Sequence, residues 1–195
     1  MNLEINDSLI PGTKLKKSDM GNVTGMEFLS KVFFISEGVM LSQIREVSGI
    51  DGSTLQNWTK RGWVANARLK KYNIDQVAHI LIINMLRSCI QLDKIALLLQ
   101  YINGKIDDKS DDIIRDSVLY DYICRILETL TRQDVASKAS IKEVIHEQIA
   151  DYEEAMPGAR ERLANALEII VMAYYAALIK RSSDEMLTEL MSHPY

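Results

Sequence analysis

Apolar residues fall at helical spacing along most of this chain, and short polar or glycine-bearing breaks divide them into segments. Leu41, Ile44 and Val47 stand three apart, with Gln43, Arg45 and Glu46 around them, which predicts a short helix. Ser48-Gly49-Ile50-Asp51 reads as a tight turn. Gly49 can take the left-handed conformation after a helix end, Ile50 can plug the core, and Asp51 suits the N-cap of the next helix. That helix has Leu55 and Trp58 on its inner side, leaves Ser53, Thr54, Gln56, Asn57 and Lys60 outside, and stops at Gly62.

The remaining stripes extend the pattern in both directions. Gly25 to Ile35, with Phe28, Leu29, Val32, Phe33 and Ile35, predicts a first helix whose two phenylalanines are core. Asn73 and Gln76 form a capping box for a strongly apolar helix from Asp75 to Ser88, too apolar for one buried stripe. His79 on it reads as a helix-surface or packing residue rather than a ligand. Leu92 to Tyr101 is the next helix, closed by Asn103-Gly104. After a polar junction, Ser110 is expected to cap a helix with Asp111 and Asp112 in its first turn and a stripe from Ile113 to Leu130. Thr131 to Ala139 breaks the pattern. Ser140 to Glu143 reads as a capping box for a stripe from Ile141 to Tyr152. Pro157 opens a last long helix reaching Arg181, rich in alanine, and Ser182 to Tyr195 reads as a short polar end. The expected fold is all-α, with an N-terminal arm (1–25), a head (26–105) and a tail of three long helices (106–195).

Composition sharpens this. Three prolines and nine glycines in 195 residues favour helix, and 47% hydrophobic residues exclude wholesale disorder. The net charge of −4 conceals an asymmetry. Residues 1–105 carry 13 Lys+Arg and 9 Asp+Glu, a balance of +4, and the remainder balances at −8. A basic head on an acidic tail is expected of a DNA-binding module fused to one that does not touch DNA. Cys89 and Cys124 are not spaced like metal ligands and fit buried thiols in a reducing cytoplasm. No signal peptide is expected from MNLEINDSLI. The apolar run from Ile169 to Ile179 is about half of what a bilayer needs, so no membrane association is expected. The polar arm, with Lys14, Lys16 and Lys17, reads as loosely ordered.

An apolar helix, a glycine turn and a capped polar helix is the order in which DNA-binding helix pairs place the second helix in the major groove. Amide and hydroxyl groups at Ser53, Thr54, Gln56 and Asn57 could read base edges there, and Lys60 and Arg61 could reach phosphates. Ser42 and Gln43 on the preceding helix, and Arg68, Lys70, Lys71 and Tyr72 after it, complete the candidate surface. Ser53-Thr54-Leu55, Trp58, Gly62, Trp63-Val64, the basic run from Arg68 to Tyr72, Gln76-Val77 and Leu92-Asp93-Lys94-Ile95 resemble the MerR family of transcription regulators. That resemblance implies a helix-turn-helix, a basic wing and two further helices. Within that superfamily the run from Lys70 to Ile95 is most similar to the DUF1836 family, small proteins of Gram-positive bacteria with a MerR-like head and a helical tail. Two departures stand out. Gln56 replaces the usual arginine, and the wing is several residues short and lacks its glycine, which leaves at most a vestigial wing.

No phosphate-cradling glycine loop, nucleophile elbow or paired histidine motif is present. Glu143 and His146 have the Glu-x-x-His spacing of two-metal bundles, but no second copy exists. The expectation is a cytoplasmic transcription regulator, not an enzyme. It needs no cofactor and binds double-stranded DNA as a homodimer joined through its C-terminal helices. The alternative is a helical protein-interaction module that keeps the fold without DNA binding.

Overall fold

The computed structural model describes residues 8–34, 38–106, 108, 110–133 and 137–192. Among these residues the chain forms α1 (Gly25–Val32), β1 (Val39–Met40), α2 (Leu41–Ser48), α3 (Gly52–Lys60), β2 (Lys71–Tyr72), α4 (Ile74–Leu86), α5 (Leu92–Asn103), α6 (Asp116–Gln133), α7 (Lys138–Gln148) and α8 (Ala159–Ser192). The fold is therefore mostly helical, with one small antiparallel sheet that sets Val39 opposite Tyr72 and Met40 opposite Lys71. Ile35 and His193 lie outside the described residues.

α4 is the central helix. Eight of its thirteen residues are buried, from Val77 to Leu86, because α6 and α8 cover it as well as the small helices before it. The core runs without a break from Ile10 through α4 and α6 to Leu178 in α8. The charge boundary near residue 105 is thus not a gap in the packing. α1 also lies on α6, with Phe28 and Leu29 fully buried.

The starts of α6 and α7 differ from those expected, whereas α1 starts at Gly25 as expected but draws its cap from a distant residue. The free amides of a helix N-terminus can be satisfied by a carboxylate from elsewhere in the fold. α6 begins at Asp116, not Ser110, because Asp75 at the start of α4 accepts from Ser117 N (3.1 Å) and Ser117 Oγ (2.6 Å). Ile113 and Ile114 are buried in the irregular segment before it, where Asn103 Oδ1 accepts from Ile114 N. At α1, Asp121 of α6 accepts from Met26 N at 2.6 Å, and Thr24 makes no side-chain cap. α7 is capped locally, but by Ser137, which accepts from Ser140 N, three residues ahead of the expected box.

The described part of the arm is packed onto the body rather than loose, against expectation. Ile10 is fully buried, Tyr120 Oη donates to Pro11 O (2.7 Å), and Asn84 Nδ2 donates to Gly12 O (2.8 Å) and Ser48 O (3.0 Å). Gly12 has φ +75°, and a Cβ there would sit 2.3 Å from the Leu81 carbonyl oxygen, so only glycine permits this approach. Cys124 is buried, and burial pushes its thiol up to about 12, whereas Cys89 is exposed rather than buried. α8 also runs eleven residues past Arg181 as helix, where a polar end was expected.

Candidate nucleic-acid interface

α2 and α3 are held by the buried residues Ile44, Ile50, Leu55 and Trp58. Between them Gly49 takes φ +73°, and its N–H donates to Arg45 O, closing α2. Ser48 is buried but satisfied: its hydroxyl donates to Ile44 O (2.6 Å) and accepts from Ile50 N (3.2 Å). The turn is fixed from behind by Asn84 of α4. Burial of Leu55 and Trp58 dictates that Gln56, Asn57 and Lys60 point outward, and all three are exposed.

Asp51 caps α3 as expected. Its carboxylate accepts from Thr54 N (2.8 Å), Thr54 Oγ1 (2.6 Å) and Ser53 Oγ. The hydroxyl bonds from Ser53 and then Thr54 hold its carboxyl well below the usual carboxylate range. The cost falls on the candidate surface. With their protons committed to Asp51, Ser53 and Thr54 present oxygen lone pairs outward, suited to accept from an amino group and not to donate to a phosphate. Asn57 Oδ1 is similarly engaged by Arg61 Nε at 3.3 Å, while Arg61 lies over Trp63, 5.1 Å from the ring centroid. Gln43 Oε1 accepts from Met40 N (2.9 Å), capping α2. Gln56 and Ser42 are exposed, so Gln56 is the amide on α3 best placed for bidentate reading of a base.

The segment after α3 is a hairpin of minimal length. Arg68 and Lys71 exchange both backbone hydrogen bonds at 2.9 Å, across a two-residue tip, Leu69-Lys70. Both tip residues have positive φ, +51° and +63°, as in type I′ turns. Neither is Asn or Gly, so the sequence carried no hairpin signal there. Arg68, Lys70 and Lys71 are exposed, and Leu69 at the tip is 90% exposed. Tyr72 does not belong to this surface: it is buried, pairs with Val39, and burial raises its hydroxyl above the ordinary value. The hairpin is anchored to α4 by the expected capping box, with Asn73 and Gln76 exchanging bonds at 2.9 Å. Gln76 Nε2 also donates to Asn66 O.

His79 joins this region to the second half of the chain. Its Nε2 lies 3.0 Å from Trp63 O, and its Nδ1 lies 3.3 Å from Asp116 Oδ2. A cavity of about 530 Å³ opens beside it, lined by Val64, Gln76, His79, Ile106, Ile114 and Asp116 among others. The imidazole therefore bridges Trp63 and Asp116, polar contacts that its place on a packed helix did not reveal. Glu143 and His146 are exposed on α7, away from this region of the chain.

These features define a small helical protein with an exposed polar helix and a basic hairpin on one continuous core. The model of the family described as "Domain of unknown function (DUF1836)" matches residues 26–123, and the chain belongs to that family. The matched segment ends within α6, so it takes in the part of that helix whose Asp121 caps α1. The chain is also similar to a Bacillus subtilis (strain 168) protein described as "Uncharacterized protein YkrK". The two are 26% identical over 166 residues, covering 80% of this chain and 71% of the relative. No solved structure matches.

Proposed function

We propose that this protein is a double-stranded DNA-binding transcription regulator with a MerR-like helix-turn-helix, acting in the cytoplasm as a homodimer joined through its C-terminal helices. The observation that carries the reading is the division of α3 into two faces. Leu55 and Trp58 are buried against the body, which leaves Gln56, Asn57 and Lys60 outward on a helix that a basic hairpin follows in the chain. In this reading α3 enters the major groove and Gln56 contacts base edges. Ser53 and Thr54 accept from base amino groups, and Lys60, Arg68, Lys70 and Lys71 neutralise phosphates. The local balance of charge supports it, since the first 105 residues are net +4 within an acidic chain.

The test is selection of bound duplexes from a random pool. A regulator enriches a two-part motif whose half-sites repeat at about one helical turn, or a multiple of it. Gln56→Ala then relaxes one position of the motif without abolishing binding. Failure to enrich any sequence, together with recovery of no duplex at low salt, leaves a helical protein-interaction module as the function of the same fold.

A further inference from the structure

The last helix outruns the core beneath it. α8 is 34 residues long, and its buried residues end at Leu178. Every residue from Ile179 to Ser192 is exposed, a stretch of about 20 Å at 1.5 Å per residue. This outer half has two distinct sides. On one, Lys180 Nζ donates to Asp184 Oδ2 (2.6 Å) and Thr188 Oγ1 donates to Asp184 O (2.8 Å). That polar side borders an open groove of about 650 Å³ shared with Leu9, Gly12, Asn84 and Ser88. On the other side Met186 and Leu190 are 68% and 60% exposed, while Leu187 (55%) and Met191 (73%) follow Lys180 and Asp184 by seven residues and lie on their side.

Followed back along the helix, the apolar side becomes a regular stripe. Ile169, Met172, Ala176, Ile179, Ser183, Met186 and Leu190 succeed one another at alternating spacings of three and four, and all seven are exposed. The buried side of the same helix is separate: Leu163, Ala166, Leu167, Ile170, Val171, Tyr174 and Leu178 face the core. A repeat of 3.5 residues sustained over three heptads is the seam of a left-handed two-stranded coiled coil. With Leu187 beside it, the stripe holds six of the large hydrophobic side chains left exposed among the described residues: Ile169, Met172, Ile179, Met186, Leu187 and Leu190. A continuous apolar face of this length is the kind of surface that association between chains covers.

We propose that this stripe is a coiled-coil seam which pairs with the same stripe of a second copy of the chain. The proposal rests on the homodimer reading above and gives it a location, including the outer half of α8. The stripe contains no charged residue, so two copies can oppose it without repulsion. Its small members, Ala176 and Ser183, alternate with large ones, as interdigitating layers need. A lipid surface suits it less. Residues 179–192 hold Lys180 and Arg181 against Asp184, Glu185 and Glu189, whereas helices that lie on membranes are rich in Lys and Arg.

Sedimentation equilibrium of the full chain tests this. Wild type is expected as a dimer at micromolar concentration. The double variant Met186→Glu/Leu190→Glu changes only exposed positions, so its circular dichroism should match wild type while its dimer dissociation constant rises at least 100-fold. Ser183→Leu fills the one polar seam position and should tighten the dimer at least tenfold. A wild-type dimer that neither substitution perturbs overturns the seam and leaves the homodimer standing elsewhere. A wild type that stays monomeric at 100 µM overturns both. Binding of wild type to phosphatidylglycerol vesicles, lost in the double variant, assigns the stripe to lipid instead and also overturns the seam.

Discussion

Asp75 ties the two halves of the chain together, and its removal should be felt far from α4. Its Oδ1 accepts from Ser117 N and Oγ, and its Oδ2 accepts from Arg115 Nη2 at 3.0 Å. Asp75→Ala deletes the cap of α6, worth about 1 kcal/mol. It also strands the Ser117 hydroxyl and amide, and Ser117 is 1% exposed, at a further cost of about 1–3 kcal/mol. The sum, about 2–4 kcal/mol, should lower the melting temperature by roughly 5–12 °C in a chain of this size. Arg115→Ala should cost under about 1 kcal/mol, because the Arg115 side chain is 67% exposed and its ion pair is screened. Asp75→Asn keeps an acceptor for Ser117 and should fall between them. The pH dependence has a definite sign. Burial opposes ionisation of Asp75, but the hydrogen bonds from Ser117 and then Arg115 outweigh it and hold the carboxyl below its ordinary value. A depressed folded-state value means that the stabilisation is complete above the unfolded value of about 3.9 and is lost as pH falls through the folded one. The gap between wild type and Asp75→Asn should therefore be constant from pH 7 to about 5 and narrow below about 4. Thermal melts at several pH values provide the assay. Equal melting temperatures for Asp75→Ala and Arg115→Ala would refute the idea that α6 is capped in trans.

Three further outcomes are expected. Trp58→Ala should cost about 3–5 kcal/mol and Asn57→Ala almost nothing, as read by denaturant melts; equal costs would mean that the faces of α3 are reversed. Lys70→Gly should raise stability by about 1 kcal/mol, since it relieves a left-handed residue at the hairpin tip, and no gain in melting temperature would count against that backbone. A maleimide should label Cys89 at once at pH 7.5 and Cys124 only after denaturation; mass spectrometry of the labelled peptides decides between this and equal reactivity.

Much of the head was legible because its signals are local. The Gly49 turn, the Asp51 cap, the Asn73–Gln76 box and the buried pair Leu55 and Trp58 each depend on residues within a few positions. What escaped the sequence depends on distant partners. Ser110 and Ser140 are reasonable caps by composition, yet the start of α6 was set by Asp75, forty-two residues before Ser117. The arm looked polar and loose, but Ile10 and the backbone around Gly12 are gripped by Tyr120 and Asn84. On the exposed face of α3, outward direction was readable and hydrogen-bond commitment was not. Nothing in the order of residues shows that Ser53 and Thr54 spend their protons on Asp51, or that Asn57 is held by Arg61. The end of α8 was hidden by composition: Ser182, Ser183 and Asp184 look like a terminus, and the apolar side emerges only at helical spacing beyond them.

The central claim is that α3 and the hairpin bind duplex DNA through phosphates and base edges, and a salt titration of affinity tests it most directly. Each phosphate contact neutralised by a cation releases counterions and contributes about 0.9 to the slope of log affinity against log salt. Arg68→Ala/Lys70→Ala/Lys71→Ala should flatten that slope by about two to three units and weaken selected and scrambled duplexes alike. Gln56→Ala should leave the slope unchanged and cost about 1–3 kcal/mol on the selected duplex only. A wild type whose duplex affinity at low salt is no greater than that of an unrelated acidic protein would contradict the claim.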